Sequence, residues 1–186
     1  MFEFLEAAIP GCFEIRPRIF DDLRGRFVKT FQRELFAEHG LNTDWPEEFY
    51  SVSKQGVLRG LHFQLPPHDH EKLVYCAAGE VLDAVVDLRV GSPTYGRNAI
   101  FRLSAETANM VYIPRGLAHG FLTLGASATM MYKVASVHAP RHDAGILWNS
   151  AGIDWPVDSP IVSARDAGFA PLEQFISPFE FGSGRE

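Results

Sequence analysis

KLVYCAAGEVLDAVVDLRVGSPTYG, residues 72–96, holds the pattern that decides the fold. Two strand-forming runs, Lys72 to Cys76 and Glu80 to Arg89, are separated by the turn residues Ala78-Gly79. Successive side chains of an extended strand point to opposite faces. Leu82, Ala84, Val86 and Leu88 therefore share one apolar face, and Val81, Asp83, Val85, Asp87 and Arg89 share the other. Such alternation admits two readings. The second face meets water, as in many antiparallel sheets, or it sends Asp83 and Arg89 into the lumen of a small ligand-holding barrel. The run alone leaves both open.

Outward from this segment the same signal recurs at Asn98 to Leu103, Asn109 to Ile113, His119 to Leu124 and Thr129 to Val137. Turn residues separate these runs at Gly91-Ser92-Pro93, Ser104-Ala105-Glu106, Pro114-Arg115-Gly116 and Gly125-Ala126-Ser127. Short strands at even spacing predict an all-β sandwich or barrel, not alternating βαβ units. One helix is expected over Thr30–His39, stopped by Gly40. The tail from Trp155 onward, rich in proline and polar residues, is expected to wrap the barrel as short turns. With no repeat, low-complexity tract or linker, the chain is expected to form one domain over residues 1–186.

At 186 residues the chain can bury a substantial core without covalent staples. A net charge of −6 argues against a general nucleic-acid surface while leaving room for a local basic pocket. Cys12 and Cys76 are the only cysteines, which excludes a disulfide framework and a four-cysteine zinc site. The start, Met1-Phe-Glu-Phe-Leu-Glu, has neither the basic flank nor the apolar run of a signal peptide. No stretch reaches the ~18 apolar residues a spanning helix needs. A cytoplasmic location and no membrane partner are expected.

Two groups of residues could carry chemistry. His62, His68, His70 and His119 could hold a metal, and Pro114-Arg-Gly-Leu-Ala-His119 matches half of a cupin metal pattern. The other half fails in spacing, because His68-Asp69-His70 runs straight into Glu71. No metal site is expected, and His68 and His70 read as residues of a polar loop. The second group serves proton transfer. His62, in VLRGLHFQ (57–64), titrates near neutrality and suits a general base. Lys72 suits a developing oxyanion, and Tyr132 could donate a proton from the opposite side.

Beyond these residues the chain resembles the dTDP-4-dehydrorhamnose 3,5-epimerase family, a cupin-type jelly roll of nucleotide-sugar enzymes. The resemblance lies in Phe20-Asp-Asp-Leu-Arg24-Gly25, VLRGLHFQ (57–64), residues 72–96, YIPRGLAHGFLTL (112–124), Tyr132-Lys133, GILWN (145–149), IDWP (153–156) and Ser163-Ala-Arg-Asp166. It implies a cupin-like jelly-roll β-barrel with a few short peripheral helices. It also implies an isomerase that inverts C3 and/or C5 of a nucleotide-linked 4-keto-6-deoxyhexose through an enolate. On matching positions, His62 is the base, Asp166 its orienting carboxylate, Lys72 the enolate partner and Tyr132 the opposing acid. The resemblance places His119 beside the sugar and lets Asp83 orient a polar group. Arg24 and Arg59 fall to the diphosphate, a task suited to guanidinium, and Arg165 to the substrate. No metal or redox cofactor is implied, and the family is a homodimer with exchanged N-terminal strands. The alternatives are an epimerase or isomerase for a different nucleotide sugar or a single carbon, and a non-catalytic sugar-nucleotide-binding cupin.

Several positions depart from the family pattern. Lys29 stands where glutamate is usual, Glu47-Glu48-Phe49 replaces a Gln-Asp-Asn type triplet, and His138 replaces a tyrosine. Asp143 stands for glutamate and Ser150 for aspartate. Lys29, Glu47, Phe49, His138 and Asp143 are thus expected to shape substrate binding. Two geometric expectations follow from strand spacing. Arg59 and His62 are an odd number of residues apart, so a bulge at Gly60 is needed to bring them to one face. Tyr132 and His138, on one continuous strand, stand ~20 Å apart and do not serve one carbon.

Overall fold

The computed structural model describes residues 1–182 and consists mainly of antiparallel strands. In chain order these are β1 (Phe2–Glu6), β2 (Phe13–Pro17), β3 (Ile19–Asp22), β4 (Gly25–Val28), β5 (Glu47–Lys54), β6 (Leu58–Gln64) and β7 (Lys72–Ala78). They continue as β8 (Glu80–Asp87), β9 (Asn98–Ser104), β10 (Met110–Ile113), β11 (Leu117–Thr123), β12 (Ser127–Val134) and β13 (Asp143–Gly145). One sheet has the order β1-β2-β10-β7-β12-β5 and the other β13-β6-β11-β8-β9, with β3-β4 a separate hairpin. Neighbours in space are mostly distant in sequence, as in a jelly roll. No helix among the described residues is long and apolar enough to cross a membrane.

The two sheets face each other over a core that includes Val74, Val81, Val85, Phe101, Val111, Phe121 and Met130. Their outer faces are covered as well. Leu58, Ala84, Val86, Leu88 and Leu122 lie under Ile153, Trp155 and Phe179 of the C-terminal tail. On the far side Ile15, Leu73 and Met110 pack beneath Phe36 and Leu41. Both faces of β8 are therefore dry, and neither sequence reading of that strand holds completely. Asp83 does point between the sheets, but β8 ends at Asp87 and Arg89 folds back onto it. Asp87 accepts from Arg89 Nε at 2.9 Å, Ser92 Oγ at 2.6 Å and Thr94 Oγ1 at 2.7 Å. Those bonds compensate its burial and fix the turn after the strand.

The helix is shorter than the composition suggested. It runs over Arg33–Glu38 (α1), with no side-chain cap at Gln32. Phe31 is drawn into an aromatic cluster, 4.8 Å from Phe36 and 6.4 Å from Trp45, instead of entering the first turn. Gly40 closes the helix at φ +68°, with its N–H on the Ala37 carbonyl. The tail adds one further short helix, α2 (Ala164–Ala167), and a single 3-10 turn at Leu172–Gln174.

A bulge does occur at Gly60. His119 of β11 pairs with His62, while Phe121, two residues on, pairs with Arg59, three residues back. The extra residue on β6 turns Arg59 and His62 to the same side. Gly60 has φ +131°, and a Cβ there would stand 2.6 Å from Gly120 Cα and 3.0 Å from the His119 carbonyl. Gly60→Ala is expected to cost more than ~3 kcal/mol, since neither the dihedral nor the backbone neighbours can relax. A urea unfolding midpoint close to wild type would contradict that close packing.

Candidate active site

A cavity of about 460 Å³ opens between the sheets, lined from both walls. The five-stranded sheet contributes Arg59, His62 and Gln64 from β6 and His119 from β11. The six-stranded sheet contributes Lys72 from β7, Tyr132 from β12, and Glu47, Phe49 and Ser51 from β5. His62 and Tyr132 thus stand on opposite walls.

His62 Nε2 lies 2.8 Å from Asp166 Oδ1 across 104 residues of chain. Asp166 sits on α2, whose N-cap Ser163 accepts the Asp166 N–H at 3.0 Å. Its other oxygen takes the Gly60 N–H at 3.1 Å. Burial alone would raise the Asp166 pKa, but the bonds from His62 and Gly60 outweigh it and hold it below the usual carboxylate range. The carboxylate stays ionised, accepts the hydrogen on Nε2, and leaves Nδ1 as the nitrogen free to take a proton.

His119 forms a second, wholly buried pair, with Nε2 2.7 Å from Asp83 Oδ2. Burial raises the Asp83 pKa against the pull of His119 and Lys72. Lys72 lines the cavity with Nζ 3.4 Å from the His62 carbonyl, and its pKa is pushed down to about 8 by burial, with Asp143 and Asp83 acting against the shift. Tyr132 is held well above the usual phenol range, chiefly by burial and further by Asp83. Its hydroxyl is 3.4 Å from Ser51 Oγ, and its ring stacks on Phe49 at 4.7 Å and 15°.

Glu47, Phe49, Arg59, His119, His138, Asp143 and Arg165 all line this cavity. His138 corrects the spacing argument: β12 ends at Val134, the chain turns, and the His138 N–H bonds to Glu47 Oε2 at 2.9 Å. Tyr132 and His138 therefore share one cavity. Arg24 and Lys29 do not line it. Arg24 caps the exposed turn of the β3–β4 hairpin, paired with Asp22, and Lys29 follows the hairpin in an exposed stretch.

Sequence reasoning missed Ser51, Gln64 and His70 as cavity residues. Gln64 was detectable, being two residues from His62 and so on its face. His70, read as a polar-loop residue, does lie in the loop between β6 and β7 but is partly buried and bonded to Ser136 Oγ at 2.7 Å. His68 instead packs on His142, ring centroids 4.4 Å apart. Among the described residues no three His, Cys, Asp or Glu side chains are grouped as metal ligands.

The sequence and fold have counterparts among known proteins. The family model described as dTDP-4-dehydrorhamnose 3,5-epimerase matches residues 6–174. The chain belongs to this family. A dTDP-4-dehydrorhamnose 3,5-epimerase of Shigella flexneri is 40% identical over 178 residues, covering 92% of this chain and 98% of the relative. The structure of a 3,5-epimerase of Legionella pneumophila in complex with dTDP-4-keto-L-rhamnose matches at TM-score 0.90 and 35% identity, covering 95% of each chain. The 3'-monoepimerase ChmJ of Streptomyces bikiniensis, in complex with dTDP-quinovose, matches at TM-score 0.87 and 34% identity, covering 91% of this chain and 87% of that one.

Of the positions singled out in the sequence for substrate choice, Glu47, Phe49, His138 and Asp143 line this cavity. Phe49 backs Tyr132, Glu47 anchors the turn that carries His138, and Asp143 pairs with Arg165 Nη2 at 2.8 Å. Ser150 lies elsewhere, accepting the Leu172 N–H at 2.9 Å and so tying down the tail.

Proposed function

We propose that the protein, acting as one catalytic domain over residues 1–186, epimerises a nucleotide-diphosphate-linked 4-keto-6-deoxyhexose in the manner of a dTDP-4-dehydrorhamnose 3,5-epimerase. The observation that carries this reading is the opposition of a carboxylate-oriented histidine on one sheet to a tyrosine on the other. A sugar ring held between them is flanked by a base on one face and an acid on the other.

In this reading His62 Nδ1 removes the proton beside the ketone, and the C–H electrons become an enolate whose oxygen meets the Lys72 ammonium. Tyr132 gives its proton to the opposite face, and solvent restores both groups. His119, fixed by Asp83, sits beside the sugar. Because the ketone already acidifies the adjacent C–H, the step draws on no metal or redox cofactor. Arg59 and Arg165 serve the substrate's charged and polar groups, with Glu47, Phe49, His138 and Asp143 shaping the pocket.

Arg24 and Lys29 enter the site only if a second subunit lends its hairpin, so a homodimer completes the proposal. Phe20, Leu23 and Phe27 are exposed on that hairpin, which supports an apolar contact with another copy. Sedimentation as a monomer at assay concentrations would sink this part alone.

The whole reading is tested in deuterated water. Deuterium is expected at C3 or C5 of dTDP-4-keto-6-deoxyglucose, two sites for a 3,5-epimerase and one for a monoepimerase. No incorporation from dTDP-, CDP- or GDP-linked 4-keto sugars means that the protein is not an epimerase of this kind. Binding without exchange marks a sugar-nucleotide-binding cupin.

The pH profile supplies a second check. The depressed Lys72 pKa means that its charge is lost as pH rises through about 8, well below an ordinary lysine. In free enzyme, kcat/KM is therefore expected to fall about tenfold per pH unit above that point. Lys72→Arg, at lower rate, should move the limb upward by more than ~2 units. A wild-type profile flat to about pH 10 rules out Lys72 as the cation on which the rate depends.

A further inference from the structure

His70 lies two residues before Lys72 and lines the same cavity. Its Nδ1 is 2.7 Å from Ser136 Oγ and 3.1 Å from Gln64 Nε2. These contacts favour one tautomer, because the Gln64 amide is oriented by two backbone groups that cannot exchange roles. The Ala139 N–H only donates, and it meets Gln64 Oε1 at 2.6 Å. The His68 carbonyl only accepts, and it meets Gln64 Nε2 at 2.9 Å. The amide nitrogen therefore faces His70, and it carries hydrogens alone. Ser136 Oγ, 3.0 Å from the His68 carbonyl and 3.2 Å from Gln64 Nε2, can take either role toward Nδ1, so the Gln64 amide nitrogen at 3.1 Å, which can only donate, is what points to Nδ1 as the acceptor. Burial, reinforced by the charges of Lys72, Arg115 and His138, pushes the His70 pKa down to about 3 and keeps the ring neutral. Its one ring proton then belongs on Nε2, which has no acceptor among the described residues.

We propose that His70 is a further substrate-binding residue, whose Nε2–H donates a hydrogen bond to a sugar oxygen next to the one that Lys72 holds. The role rests on the epimerase reading. A neutral donor on a ring locked by Gln64 and Ser136 suits a hydroxyl or carbonyl oxygen, and it discriminates against a sugar with no acceptor at that place. The nearby lysine, by contrast, answers to charge.

Two measurements test it. Nitrogen-15 spectra of histidine-labelled protein, with the His70 signal assigned by its loss in His70→Gln, are expected to show a protonated Nε2 and a bare Nδ1 at neutral pH. A protonated Nδ1 overturns the proposal. His70→Phe keeps a ring and removes the donor, and should lower kcat/KM about tenfold, mainly through KM. His70→Gln returns an amide hydrogen close to the Nε2 position and should recover to within about threefold of wild type. Equal kcat/KM in wild type and His70→Phe overturns the role while leaving the epimerase reading intact. Failure of deuterium exchange in wild type removes both, with the tautomer spectrum still readable.

Discussion

His62→Ala is expected to abolish solvent exchange at the carbon beside the ketone, a loss of at least ~10³-fold that leaves nucleotide binding in place. The other titratable groups lining that wall are engaged elsewhere, Asp143 with Arg165 Nη2 at 2.8 Å. His119 is committed to Asp83 at 2.7 Å and fully buried. Asp166→Asn is the sharper test, because the geometry dictates how the new amide must sit. The Gly60 N–H, 3.1 Å from Asp166 Oδ2, can only donate and so holds the amide oxygen on its side. The amide nitrogen is then turned toward His62 Nε2, where Asp166 Oδ1 stood at 2.8 Å. A donor at that place forces the ring hydrogen onto Nδ1, the nitrogen that must accept the substrate proton. The variant should fold with a near-normal unfolding midpoint and lose ~10²–10⁴ in kcat/KM, as expected when a base is held in the wrong tautomer. Activity within threefold of wild type would mean that Asp166 buttresses the fold and does not orient the base.

How much of this the sequence disclosed depends on whether the information was local. Once the resemblance set Arg59 and His62 on one substrate, their odd separation required a bulge, and Gly60 was the residue able to form it. The β8 run announced a strand dry on one face. That the other face was dry too depended on where Trp155 and Phe179 of the tail fall, which no pattern within the run encodes. Asp166 is the extreme case. A four-residue helix 104 positions from His62 carries no periodicity that points to its partner, and only family resemblance linked the two. β5 was passed over because its polarity runs opposite to the usual rule. Ser51 and Ser53 face inward, while Tyr50 and Val52 are exposed at 66% and 58%. His138 misled for a related reason: the spacing argument assumed a strand through residue 138, whereas β12 stops at Val134.

Tyr132→Phe is expected to separate proton removal from inversion. The substitution retains the ring that stacks on Phe49 at 4.7 Å and gives up only a hydroxyl lying 3.4 Å from Ser51 Oγ. The fold should lose no more than ~1 kcal/mol. His62 and Lys72 remain, so the C–H proton still comes off and an enolate still forms. With no acid on the six-stranded wall, the proton returns mainly from the His62 side, and that return restores the starting configuration. Deuterium should therefore wash into unreacted 4-keto sugar at a rate within about tenfold of wild type, while epimerised product falls by ~10²–10³. The elevated Tyr132 pKa, set by burial, fits a group that enters the reaction protonated. Exchange and inversion that fall in parallel would place Tyr132 in proton removal itself. An unchanged ratio of inversion to exchange, with both rates near wild type, would mean that the second proton arrives from another donor in the same cavity, and His138 would be the first residue to replace.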